Sequence, residues 1–109
     1  MPKSAGLPPG TLSLLLLRVV RQEPLHGYAI AQRIRTLSSD QLSVEEGSLY
    51  PALQKLLANG WVRAEWTTSD TGRQVRSYRI TAKGLKQLES EQDDYQRMAD
   101  AIAAILQST

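Results

Sequence analysis

A single proline limits what this chain can fold into. In EGSLYPALQKLL, residues 46–57, Leu49, Leu53, Leu56 and Leu57 recur at helical spacing, with Pro51 among them. Proline has no backbone N–H, and its ring collides with the carbonyl four residues earlier, at about 3 kcal/mol in a helix interior. Ser43-Val-Glu-Glu46 matches a capping box, but a helix starting there buries Pro51 deep inside it. A start around Glu46–Ser48 is the better reading, because the first N–H groups of a helix have no internal partner and a proline among them sacrifices little. Asn59-Gly60 then ends the helix.

The late start has a chemical consequence. The helix N-terminus, with its partial positive charge and unpartnered N–H groups, is presented beside Gly47, Ser48, Tyr50 and Pro51. With the leucines turned to a core, Ser48, Tyr50, Pro51, Gln54 and Lys55 fall mainly on the opposite face.

Around this helix the chain reads as helix, helix, helix, hairpin, helix. Residues 1–9, MPKSAGLPP, are Pro-rich and expected to be flexible. The first helix begins near Thr11, capped by Gly10 or Thr11, and runs to about Gln22. It is apolar almost all the way round, so it must be covered on more than one side, which points to a partner subunit. Glu23-Pro24-Leu25 breaks the pattern, and a second helix follows from about His26 to Leu37, with Tyr28, Ile30, Ile34 and Leu37 as its apolar stripe. After the third helix, WVRAEW (61–66) and VRSYRI (75–80) alternate and flank a turn at Asp70-Thr71-Gly72, the pattern of a β-hairpin. Trp61 and Trp66 are read as core or interface residues. One long helix spans about Thr81 to Leu106.

The fold class expected from this order is mainly α with a small β-hairpin, a winged helix-turn-helix (α-α-α-β-β) over residues 10–80, followed by a long C-terminal dimerisation helix over residues 81–109. In such an arrangement the third helix enters the DNA major groove and the hairpin touches flanking backbone. The residues suit that task. Ser48 and Gln54 can bond to phosphates or base edges, Lys55 pairs with phosphate, and Tyr50 reaches phosphate or packs on sugar and the thymine methyl. Arg73 and Arg76 lie near the hairpin tip, within reach of phosphate. His26 and Tyr28 open the second helix, where free N–H groups can seat another phosphate.

Charge agrees. Net charge is +2, but residues 1–83 carry 11 Lys/Arg against 6 Asp/Glu and residues 84–109 carry 2 against 5. A basic body fits a polyanionic partner. With no Cys and one His, disulfides and multi-His metal sites drop out, and no cofactor is expected. No apolar run, Leu14–Leu17 included, approaches the length of a membrane span. The expected location is cytoplasmic. No nucleophile–base pair, carboxylate pair or phosphate loop is visible, so an enzyme is not expected. A winged-helix module that binds protein instead of DNA is the alternative.

Three spaced motifs, PLHGYAIAQRI, GSLYPALQKLLANGWV and GRQVRSYRITAKG, resemble the PadR-like transcriptional regulators over roughly residues 10–90. The Tyr-Pro pair and the Gly-Arg…Tyr-x-x-Thr-x-x-Gly run are the most specific parts. The resemblance implies a winged-helix dimer that binds a roughly palindromic operator and usually represses transcription. It also implies that a small aromatic effector, phenolic or cationic, can occupy the dimer interface. The chain departs from the usual pattern at Gln74-Val75, where the family often has Pro-Arg.

From Leu85 onward, Leu85, Leu88, Gln92, Tyr95, Ala99, Ile102 and Leu106 follow a seven-residue repeat, widened by Met98 and Ile105. Coiled-coil-like pairing with a second copy is the economical way to bury such a seam. The expected homodimer interface comprises Leu12 and Leu16 of the first helix and Leu85, Leu88, Tyr95, Met98, Ala99, Ile102 and Leu106 of the last.

Overall fold

The computed structural model describes residue 7 and residues 10–109, so the expectation for residues 1–9 lies, apart from Leu7, outside the described residues. Four helices and three short strands follow in chain order: α1 (Leu12–Gln22), β1 (Leu25–His26), α2 (Gly27–Leu37), α3 (Glu46–Ala58), β2 (Val62–Thr68), β3 (Gln74–Ile80) and α4 (Ala82–Leu106). This is a winged helix-turn-helix with an added C-terminal helix.

α1 is the hub. It packs against α2, α3, β3 and α4 of its own chain, and Leu16, Leu17, Val19 and Val20 are buried on it. The near-continuous apolar surface is thus covered largely from within the chain itself. Ile30 and Ile34 of α2 and Leu49, Leu53 and Leu56 of α3 complete the helical core. Tyr28 and Leu37, read as part of the α2 stripe, are exposed instead. Tyr28 lies well round the helix from Ile30 and Ile34, and Leu37 is the last residue of α2.

The expected start around Glu46–Ser48 is met, but at its early edge, which carries Pro51 past the first four N–H groups. α3 starts at Glu46, so Pro51 is in the second turn, where position 47 would receive its missing hydrogen bond. Gly47 itself is exposed, with open space where a Cβ would stand. At the other end, Gly60 adopts a positive φ of 74°. The N–H groups of Gly60 and Trp61 donate to the carbonyls of Leu57 and Leu56, closing the helix in a Schellman motif.

The sheet has three strands, not two, in the order β1-β3-β2 and antiparallel throughout. Leu25 and His26 pair with Tyr78 and Ser77. The cross-strand pairs Val62–Ile80, Ala64–Tyr78 and Trp66–Arg76 share one face. At its base this face is packed on the helices through Val62 and Tyr78, and toward the tip it runs clear of them.

α4 is attached through Thr81. Its Oγ1 donates to the Gly60 carbonyl at 2.7 Å and accepts from Gly84 N–H at 3.0 Å, while Thr81 N–H donates to the Trp61 carbonyl at 3.0 Å. Gly84 has no room for a side chain: a Cβ would stand 2.0 Å from the Trp61 carbonyl oxygen. Leu88 is buried, and Ser13 Oγ donates to Glu91 Oε2 at 3.0 Å, tying α1 to α4. Beyond that point α4 overhangs. Tyr95, Met98, Ile102, Ile105 and Leu106 are exposed. No helix among the described residues is long and apolar enough to cross a membrane.

Candidate nucleic-acid interface

α2 and α3 form the helix-turn-helix, joined by residues 38–45. Ser38 directs the turn, accepting from Leu42 N–H at 3.0 Å, and Ser39 and Asp40 adopt positive φ angles of 52° and 64°. The N-terminal end of α2 and Tyr50 of α3 face the wing, the loop and strand tips of β2 and β3. Together they border a groove of about 670 Å³ lined by His26, Tyr28, Tyr50, Trp66, Arg73 and Arg76, with Tyr78 also contributing to its wall.

The histidine and the three tyrosines of the groove are each held in a definable way. His26 caps α2: its Nδ1 accepts from Ala29 N–H at 3.4 Å, which leaves the proton of the neutral ring on Nε2. Tyr28 is exposed, and its hydroxyl accepts from Gln32 Nε2 at 3.3 Å. Tyr50 is 47% exposed, but the rest of it rests on Gly27. A Cβ at position 27 would approach Tyr50 Cε1 to 3.0 Å and its hydroxyl to 3.1 Å. The glycine that opens α2 therefore admits the tyrosine that precedes Pro51. Tyr78 forms the buried end of this array. Burial raises its phenol above the ordinary value, Arg76 opposes that shift, and Tyr50 adds to it.

Ser48, Tyr50, Pro51, Gln54 and Lys55 are all exposed on α3, opposite buried Leu49, Leu53 and Leu56. The structure brings His26, Tyr28, Tyr50, Arg73 and Arg76 to one groove, whereas Ser48, Pro51, Gln54 and Lys55 extend the surface along α3 outside its lining. Among the described residues, the ion pairs engage Arg33 with Glu23, Arg35 with Asp40, Arg79 with Glu65 and Arg97 with Asp94. Lys55, Arg73 and Arg76 belong to none of them, so their charge faces solvent uncompensated.

The apolar residues read as an interface divide in two. Leu16 is 0% exposed and Leu88 is 3% exposed, both inside the chain's own core, so neither is available to a second copy. The reason is that α1 and the first turns of α4 pack on each other. Leu85, Tyr95, Met98, Ile102 and Leu106 remain exposed, with Leu12 and Ala99 half-buried. Trp66, read as core or interface, is 69% exposed and far from the core. Its alternation with Val62 and Ala64 put it on their face, but not past the end of the helices. Strand β1 was also missed, since two residues carry no period.

A helix-turn-helix with exposed polar residues on its second helix, a basic wing and a groove between them defines a DNA-binding winged-helix protein. Comparison with known proteins agrees. The model of the Transcriptional regulator PadR-like family matches residues 16–90. An uncharacterised protein of Lysinibacillus sphaericus is 28% identical over 75 residues, 69% of each chain. The crystal structure of a PadR-like transcriptional regulator from Bacillus cereus superposes with a TM-score of 0.79 at 27% identity, covering 92% of this chain and 95% of that one. A transcriptional regulator from Clostridium thermocellum shares the fold, with a TM-score of 0.80 at 23% identity over 87% and 92% of the two chains. This chain belongs to the PadR-like family: it is a transcriptional regulator, not an enzyme.

Proposed function

We propose that the chain acts as a homodimeric repressor on a roughly palindromic operator. α3 enters the major groove with Ser48, Tyr50, Pro51, Gln54 and Lys55. Arg73 and Arg76 hold flanking phosphates, and His26 and Tyr28 seat another at the start of α2. Residues 10–80 read DNA, and residues 81–109 pair two copies so that the recognition helices lie about one DNA turn, some 34 Å, apart. A dimer held on a promoter blocks polymerase by occupancy. The observation that carries the reading is the exposed polar face of α3, with Lys55 on it and Arg73 and Arg76 on the wing, none of the three in an ion pair among the described residues. Dimerisation is supported by the uncovered apolar overhang of α4.

A cleft of about 300 Å³ between α1 and α4, lined by Thr11, Leu14, Glu91, Asp94, Tyr95 and Met98, supports release by a small aromatic effector. Of its two carboxylates Asp94 is paired with Arg97, which leaves Glu91 to favour a cationic one.

The test is binding to the DNA upstream of the protein's own gene, titrated against salt with random DNA as competitor. Specific binding by a dimer is expected, weakening with a log–log slope of about −0.9 per phosphate contacted. Affinity no higher than for random DNA, here and with duplexes selected from a random library, would refute it and favour a protein-binding module.

A further inference from the structure

The wing carries a side chain that neither the fold nor the core needs. Trp66 is 69% exposed, and burying an indole is worth more than burying almost any other side chain. Its position is specific. It pairs with Arg76 across the strands and lines the same groove as Tyr28, Tyr50 and Arg73. It also continues the sheet face that Val62 and Tyr78 bury farther down. Where the helices run out, that apolar face has lost its cover, and what remains is Trp66 beside Arg76.

We infer that Trp66 is a DNA-contacting residue of the wing, with its indole packed on the deoxyribose of the backbone strand that Arg73 and Arg76 hold by its phosphates. This rests on the DNA-binding reading above. The chemistry of the two partners matches. A DNA backbone alternates an apolar sugar with an anionic phosphate. The indole supplies an apolar plate and one N–H donor, and Arg76 supplies the charge. Paired bases leave no open face for stacking, so the sugar is the apolar surface within reach. Charge decides against a second copy of this chain as the occupant. Self-pairing through this face would bring Arg73 and Arg76 toward their own copies, whereas the apolar overhang of α4 offers an uncharged seam elsewhere. The contact adds affinity that does not come from counterion release, so it separates from the arginine contacts by its salt dependence.

The experiment uses the full chain and a duplex that the wild-type protein selects from a random-sequence library. Trp66→Ala is expected to weaken binding on the order of tenfold at every salt concentration, with the salt slope unchanged. Arg76→Ala is expected to make the slope shallower by about 0.9. Acrylamide quenching gives a direct readout. The difference in emission between wild type and Trp66→Phe isolates Trp66 from Trp61, and the duplex should shield it. An unshielded Trp66 and unaltered Trp66→Ala affinity, on a duplex the protein does bind, would overturn the inference while leaving the DNA-binding reading intact. Shielding that grows with protein concentration in the absence of DNA would assign the indole to a second copy and overturn it too. If no duplex is enriched at all, both readings fall.

Discussion

Replacing Gly84 with alanine separates helix propensity from packing, because the two predict opposite signs. Propensity alone favours the alanine by up to about 1 kcal/mol. The structure says otherwise. The new Cβ would stand 2.0 Å from the Trp61 carbonyl oxygen and 2.8 Å from Ile80 Cγ1. A carbon–oxygen contact needs roughly 3.3 Å, so α4 must withdraw by about 1.3 Å. Backbone is what it meets, and backbone gives little. Overpacking of this kind costs about 1–3 kcal/mol. Withdrawal also strains the bonds from Thr81 to the Trp61 and Gly60 carbonyls, each contributing about 0.5–1.5 kcal/mol. After the propensity gain, Gly84→Ala should lose roughly 1–5 kcal/mol, a large share of the 5–15 kcal/mol typical of such a domain. Urea unfolding followed by circular dichroism, at one fixed protein concentration, measures it. Gly47→Ala is the control: it is helical, exposed and has nothing within 4 Å of its Cβ position. It should gain about 0.5–1 kcal/mol. A Gly84→Ala midpoint at or above that of the wild type would refute the claim that the close approach to Trp61 fixes this glycine.

Three other outcomes are expected. Gly27→Ala should displace the Tyr50 ring by a few tenths of an ångström at their 3.0 Å contact. It should leave the unfolding midpoint within about 1 kcal/mol yet weaken operator binding about tenfold; equal affinity would mean that Gly27 does not position Tyr50. Ile102→Asp, on the exposed overhang of α4, should give folded monomers by light scattering and lose tight operator binding; a persistent dimer would move the interface elsewhere. Burial keeps the Tyr78 phenol protonated above its ordinary value of 10.0, so its contribution to stability is whole below that pH and is lost as pH rises through the raised value. Tyr78→Phe should flatten that alkaline decline in an unfolding series, and an unchanged slope would assign it to other groups.

What the sequence determined by itself is whatever depends on neighbours a few residues away. The three-and-four spacing of Leu49, Leu53 and Leu56 gave α3 its two faces, and with them the exposed row of Ser48, Tyr50, Gln54 and Lys55. Gly60, Gly72 and Thr81 marked the ends and turns because capping and positive φ are local demands. The hairpin and α4 were legible for the same reason. Tertiary structure decided everything that depends on which element lies opposite. Leu16 and Leu88 read as a seam for a second copy, yet they meet the chain's own core because α1 and the start of α4 lie together. Trp66 carries the same alternation as Val62, but only the distance from the helices makes one exposed and the other buried. Strand β1 exists only because β3 runs beside it. The vacancy at Gly27 has meaning only once Tyr50, from another helix, fills it. Periodicity states which side of an element is apolar; burial is set by neighbours distant in the chain, and no local pattern records them.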